Sequence, residues 1–174
     1  MQGKFTNTNF GAYATASTVA YTLSFSLSSN TSSLGNLLPG SVTTSSSITM
    51  SFATTAVAGG DIYVYGANSG LLSAARTHTI AAASTNLATA SEGFGIQATS
   101  ATQTFGGPLT ILSPYNGTAN NVGTETTSPT HMVSSAAAVL SGSVTMNFQA
   151  KSSNITPAAS DYTETLTFIA AASY

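Results

Sequence analysis

From Val19 to Ser28 the chain alternates without a break: Val19, Tyr21, Leu23, Phe25 and Leu27 are apolar, while Ala20, Thr22, Ser24, Ser26 and Ser28 are small or hydroxylated. A two-residue period is that of a β-strand, whose successive side chains point to opposite faces; a helix repeats every 3.6 residues. Such a strand has one apolar face and one wet face, so it must lie on a core. The chain therefore needs a sheet and something packed against it.

The pattern returns further along. Ile48, Met50 and Phe52 alternate with Thr49, Ser51 and Ala53, and Asp61–Tyr65 sets Ile62 and Val64 against Tyr63 and Tyr65. Further strands are expected at Arg76–Ile80, at Phe94–Thr99 and at Leu109–Leu112 behind Gly106-Gly107-Pro108. Val144, Met146 and Phe148 make another before Lys151. The last holds Tyr162, Leu166 and Phe168 against Thr163, Thr165 and Thr167 and runs close to Tyr174. Between the first two strands, Pro39 fixes φ and Gly40 permits the positive φ of a type II turn. Ser113–Pro129, dense in Asn, Gly, Thr and Pro, reads as a long surface loop. Two Ala-rich pieces, Ile80–Ala90 and Ser134–Leu140, have the composition of short helices but no caps. Short strands divided by turn residues, with no internal repeat, predict an all-β fold. The expected architecture is an antiparallel β-sandwich, jelly-roll or immunoglobulin-like with Greek-key connections. Residues 18–174 form the domain and residues 1–17 an N-terminal extension strand.

Charge narrows the function. The chain has 3 Lys plus Arg and 5 Asp plus Glu in 174 residues. Ser and Thr supply about a third of it, so its surface is wetted by hydroxyls rather than ions. That suits a protein facing the outside world, and Lys4, Arg76 and Lys151 are too scattered to neutralise phosphates, so no nucleic-acid partner is expected. Without cysteine there is no disulfide framework, thiolate nucleophile or zinc–thiolate site. The longest apolar runs, such as Phe168–Ala172, are far too short to span a bilayer as a helix, and membrane insertion is not expected. No apolar run of signal-peptide length follows Met1, so either a leader has already been removed, as the expected extracellular, cell-surface location requires, or the protein is never secreted by that route.

Catalytic patterns are missing. His78 and His131 stand 53 positions apart with no metal-ligand spacing, and read as ordinary surface histidines. No Gly-x-Ser-x-Gly elbow exists, so a triad would have to be assembled from His78 or His131 with Asp61 or Asp161. Paired carboxylates, a calcium loop and a phosphate-binding glycine turn are likewise unsupported, and neither an enzyme nor a cofactor is expected. A Lys–acid crosslink would draw on Lys151 and Glu164. Sequons at Asn30, Asn116 and Asn154, all in expected loops, mark candidate glycosylation sites.

The segment from Gly3 to Ser17 does not fit inside the domain. It carries Phe5, Phe10 and Tyr13 among Thr, Asn, Gly and Ala, and meets the first strand without a turn signal. Bulky residues spaced by small ones along an extended segment suit a strand laid in the groove of another subunit; the alternative reading is the first edge strand of the chain's own sandwich or a frayed terminus.

An alternating strand followed by Leu34-Gly35-Asn36-Leu37-Leu38-Pro39-Gly40-Ser41 resembles secreted fibre subunits of the TasA and camelysin type. Ile155-Thr156-Pro157-Ala158-Ala159-Ser160-Asp161-Tyr162-Thr163-Glu164-Thr165-Leu166 resembles the closing hairpin of spore-coat-U-like and other pilin-like domains. The chain also resembles Ser/Thr-rich surface proteins of ultrasmall bacteria. In two places it departs from the pilin-like hairpin: Ala159-Ser160 replaces the usual glycine, and Glu164 stands where an aspartate is usual. The resemblance implies a non-covalent extracellular filament, a pilus or biofilm-matrix fibre polymerising head to tail by donor-strand complementation. Phe5, Phe10 and Tyr13 are then the expected plugs, and Phe25, Leu27, Leu166 and Phe168 the acceptor groove. Two other readings stay open: a virion coat or decoration protein, and a carbohydrate-binding adhesin module using Tyr63, Tyr65 or Tyr115. Expected partners are further copies of the chain, with surface glycans or neighbouring cells as others.

Overall fold

The structure, a computed structural model, describes residues 20–174. Phe5, Phe10 and Tyr13 of the expected extension strand lie outside the described residues. Within them are twelve strands and no helix.

One sheet is built around the long strand β11 (Val139–Lys151). On one side β11 pairs with β3 (Ile48–Thr54) and the short β2 (Val42–Thr44), and β1 (Leu23–Leu27) adds to β3 as the outermost strand. On its other side lie β7 (Gly93–Thr102) and β8 (Phe105–Gly106). The second sheet runs β12 (Leu166–Ala172), β4 (Gly60–Gly66), β10 (Thr130–Ser135), β9 (Leu109–Ile111). A separate hairpin joins β5 (Gly70–Ser73) to β6 (His78–Ala81). All of these strand pairings are antiparallel, and the fold is an antiparallel β-sandwich.

The alternation in the sequence becomes the two faces of the sheets. Met50, Phe52, Val144 and Met146 of the first sheet join Ile62, Val64 and Met132 of the second in one core cluster. At about 25 cal/mol per Å² of apolar surface removed from water, this cluster is the main favourable term in folding. Facing outward, Ser26, Ser51, Ser143 and Thr102 stand in register across four strands, a row of hydroxyls where most sheets carry charges.

The register also fixes two ends. Leu23 pairs with Thr54 and Ala172 with Gly60 at what is here the upper end; Leu27 with Met50 and Leu166 with Gly66 mark the lower.

Several expectations need correction. The Ala-rich pieces are not helices: β6, β10 and β11 take parts of them, because pairing with neighbouring strands outweighs a weak alanine propensity. The first strand starts at Leu23, with Tyr21 half exposed before it, and the last starts at Leu166, not Tyr162. Ser113–Pro129 forms none of the named strands but is not simply a surface loop, since Tyr115, Val122 and Glu125 are buried within it. Its backbone runs along the free edge of β7, exchanging N–H to O=C bonds between Ile96 and Gly123 and receiving one from Ala98 at Tyr115. Two glycines allow this approach: a Cβ on Gly95 would sit 2.5 Å from Val122 Cγ2, and one on Gly123 would sit 2.5 Å from Tyr115 Cδ1.

Candidate functional site

One side of the sandwich is closed and the other open. The edge of β7 is covered by the 113–124 loop, whereas β1 and β12, the terminal strands of their sheets, face each other across the opposite side with no strand between them among the described residues. Thr22 accepts from Thr55 N–H and Ser28 donates to Thr49, so the even-numbered residues of β1 turn their main chain to β3. Leu23, Phe25 and Leu27 therefore offer theirs to the open side. On β12, Thr165 accepts from Ala67 and Ser173 donates to Gly59, which leaves the main chain of Leu166, Phe168 and Ala170 outward. Two strand edges left unpaired among the described residues are a ready template for another strand.

At the lower end the gap deepens into a groove of about 890 Å³. Its floor is core: Ile48, Met146 and Phe148 from the first sheet, with Phe94, Leu71 and Ile80 beside them. One wall is the 29–39 loop with Leu34, Leu37 and Leu38; the other is the start of β12 and the 152–164 segment before it. Leu27, Leu166 and Phe168 line the groove, whereas Phe25 packs against the core cluster without lining it. The Pro39-Gly40 turn forms as read: Gly40 has φ of 79°, and Ser41 N–H donates to Leu38 O at 3.1 Å. Gly40 N–H in turn reaches Ser152 O at 2.9 Å, tying one wall to the other.

The second wall is pinned by polar contacts that sequence reading missed. Asp161 accepts from Ser73 Oγ at 2.5 Å and from Ala75 N–H at 2.9 Å, and these bonds hold its carboxyl below the ordinary carboxylate range. Arg76 Nε donates to Ala158 O, Tyr162 hydroxyl donates to Pro157 O and meets His78 Nδ1 at 3.1 Å, and Thr156 hydroxyl donates to Glu92. The Glu164 carboxylate receives backbone N–H groups from Ala67, Asn68, Gly70 and Thr165, so it is turned into the β4–β5 connection. Glu164 is the one charged residue among those lining the groove, which is otherwise apolar and hydroxylated.

Beside Glu164, across Gly66, lies Glu125, 1% exposed, with neither carboxylate oxygen hydrogen-bonded among the described residues. Burial, with the nearby Glu164 charge adding to it, pushes its carboxyl up to about 7. Lys151 does not pair with Glu164; its Nζ donates to the carbonyls of Ala88 and Ala90 at 2.9 and 2.7 Å.

The remaining expected residues scatter. His131 Nε2 lies 2.8 Å from Asp61 and the ring stacks on Tyr63, a pairing that no sequence spacing signalled. Ser173 Oγ sits on the other Asp61 oxygen rather than on the imidazole, so the order needed for a relay to a serine nucleophile is not made. Among the described residues no cluster of His, Asp or Glu has metal-binding geometry. Tyr115 is fully buried, its hydroxyl donating to Thr124 O at 2.8 Å, and is no solvent-facing platform; Tyr63 and Tyr65 are half-buried on the outer face of β4. Asn30, Asn116 and Asn154 are exposed in loops. No family model, curated protein or solved structure matches this chain.

Proposed function

We propose that the protein is the structural subunit of an extracellular filament, a pilus or matrix fibre, in which each copy adds a strand from its N-terminal segment to the open side of the next. The observation that supports this reading is the apolar groove between two strand edges that are unpaired among the described residues, in a chain whose sequence carries a β-compatible segment before them. An inserted strand gains main-chain hydrogen bonds along an edge and buries its own apolar side chains against the core residues at the groove floor, about 1.5–3 kcal/mol for each large one. Few charges take part, so the assembly is expected to tolerate salt.

The test is electron microscopy and sizing of the full chain beside Phe168→Asp, which puts a carboxylate on the groove wall. The reading expects filaments from the first and folded, unassembled protein from the second. Filaments of equal length from both would contradict it.

A further inference from the structure

Independently of assembly, we infer that Asn116 is a self-modifying site: the peptide nitrogen of Gly117 displaces its side-chain amide, and the isoaspartate formed loosens the 113–124 loop over β7.

The reaction needs an asparagine whose following peptide nitrogen is free to attack. A hydrogen bond from that N–H holds it back, and a Cβ on the following residue crowds the five-membered ring that forms. The described residues hold nine asparagines. After six of them the next N–H is tied down: Thr31 and Ile155 donate to serine hydroxyls two residues back, Phe148 to Ser45 Oγ, and Leu87, Asn121 and Val122 to main-chain carbonyls. Among the described residues the N–H groups of Leu37, Ser69 and Gly117 make no hydrogen bond. Leu37 and Ser69 carry a Cβ, and Gly117 does not. Asn116 is also exposed, and water reaches it.

The step balances with water alone. Gly117 N bonds to Asn116 Cγ as the Cγ–Nδ2 bond breaks, and the Gly117 proton leaves with the side-chain nitrogen as ammonia. Water then opens the cyclic imide at either carbonyl. One opening gives aspartate; the other breaks the original peptide link and leaves the main chain running through the side chain, as isoaspartate. Either product adds a carboxylate to a chain of formal net charge −2. A sugar on Asn116, the other fate its sequon allows, would hold the same Nδ2 and block the reaction.

The isoaspartyl form matters because the loop has no slack. On one side of the site Tyr115 O accepts from Ala98 N–H at 2.8 Å; on the other, Asn121 N–H and Nδ2 both donate to Thr118 O. The turn between is tight enough that a Cβ on Gly117 would sit 2.5 Å from Asn121 O. Isoaspartate puts an extra methylene into the main chain between these pins, while aspartate leaves its length unchanged. The bonds at Ala98 and between Ile96 and Gly123, which cover the edge of β7, are the ones placed under strain.

The experiment incubates the full-length, unglycosylated protein at pH 8 in heavy-oxygen water, folded and in guanidinium chloride, and maps the label by mass spectrometry of peptides. The inference expects Asn116 to convert ahead of Asn36 and Asn68 in the folded protein. Its folded rate should lie within about tenfold of the unfolded rate, since an unbonded loop N–H needs almost no opening free energy. Asn116→Gln, which would have to close a larger ring, should take up no label there. Conversion at Asn36 or Asn68 first, or a folded rate lower by more than that margin, overturns the site. Hydrogen exchange then compares the isoaspartyl protein with Asn116→Asp, which has the charge without the added length. Faster exchange at Ile96 and Ala98 in the isoaspartyl form is expected; equal exchange overturns the loosening and leaves the modification standing.

Discussion

Tyr21 and Tyr174 meet edge to face, ring centroids 5.0 Å apart and planes at 73°, so the entry to the first strand and the last residue of the chain are fastened at the same end of the sandwich. An aromatic pair of this kind contributes about 0.5–1.5 kcal/mol beyond its buried area. Tyr174→Ala should therefore lower the melting temperature by a few degrees while leaving filament formation intact, because neither ring lines the groove. Thermal unfolding and sizing of the variant check both halves.

Glu125 makes stability depend on pH in an unusual direction for a carboxylate. Its folded value of about 7 lies above the ordinary 4.5, so the folded state holds its proton longer than the unfolded chain does. Stability should be greatest below about pH 4.5 as far as this group is concerned, fall as pH rises to about 7, and then level off. The full change is about 3 kcal/mol. Glu125→Gln should remove the slope and be the more stable protein at pH 8. Urea unfolding at pH 4.5, 6 and 8 measures it, and an unchanged slope in the variant would refute the assignment.

Gly123 is required by the ring it touches. An added Cβ would lie 2.5 Å from Tyr115 Cδ1, inside a packed region with no room to yield. Gly123→Ala should cost about 1–3 kcal/mol through overpacking, read as a lower urea midpoint with the same slope.

The wall of the groove should respond to Asp161. Its carboxyl is held low by Ser73 and Ala75, so the wall's contribution to stability is present at neutral pH and lost only as pH falls through that depressed value. Asp161→Asn at pH 7 should reproduce the loosened state. Faster hydrogen exchange in residues 152–164 with unchanged protection in β11 is the expected result; equal protection in that wall would contradict it.

Much of this was legible in the residues. The alternations at Leu23–Leu27, Ile48–Phe52 and Val144–Phe148 became β1, β3 and part of β11, because a half-buried strand writes its two faces into every second residue. Pro39-Gly40 made its turn for local reasons. Other features had no local signature. Tyr115 and Glu125 sit in a stretch with no periodicity and are buried by how it folds over β7, a relation between residues far apart in sequence. The pairing of Asp161 with Ser73, 88 positions away, is of the same kind.

The most direct test uses the absence of cysteine in the chain. A full-length double variant, Ala16→Cys with Leu166→Cys, is assembled, oxidised and run on a non-reducing gel. The account predicts a ladder of covalent multimers that collapses to monomer on reduction, each step a strand of one copy bonded into the groove of the next. A monomer band that does not change on oxidation, from protein that has formed filaments, would contradict it.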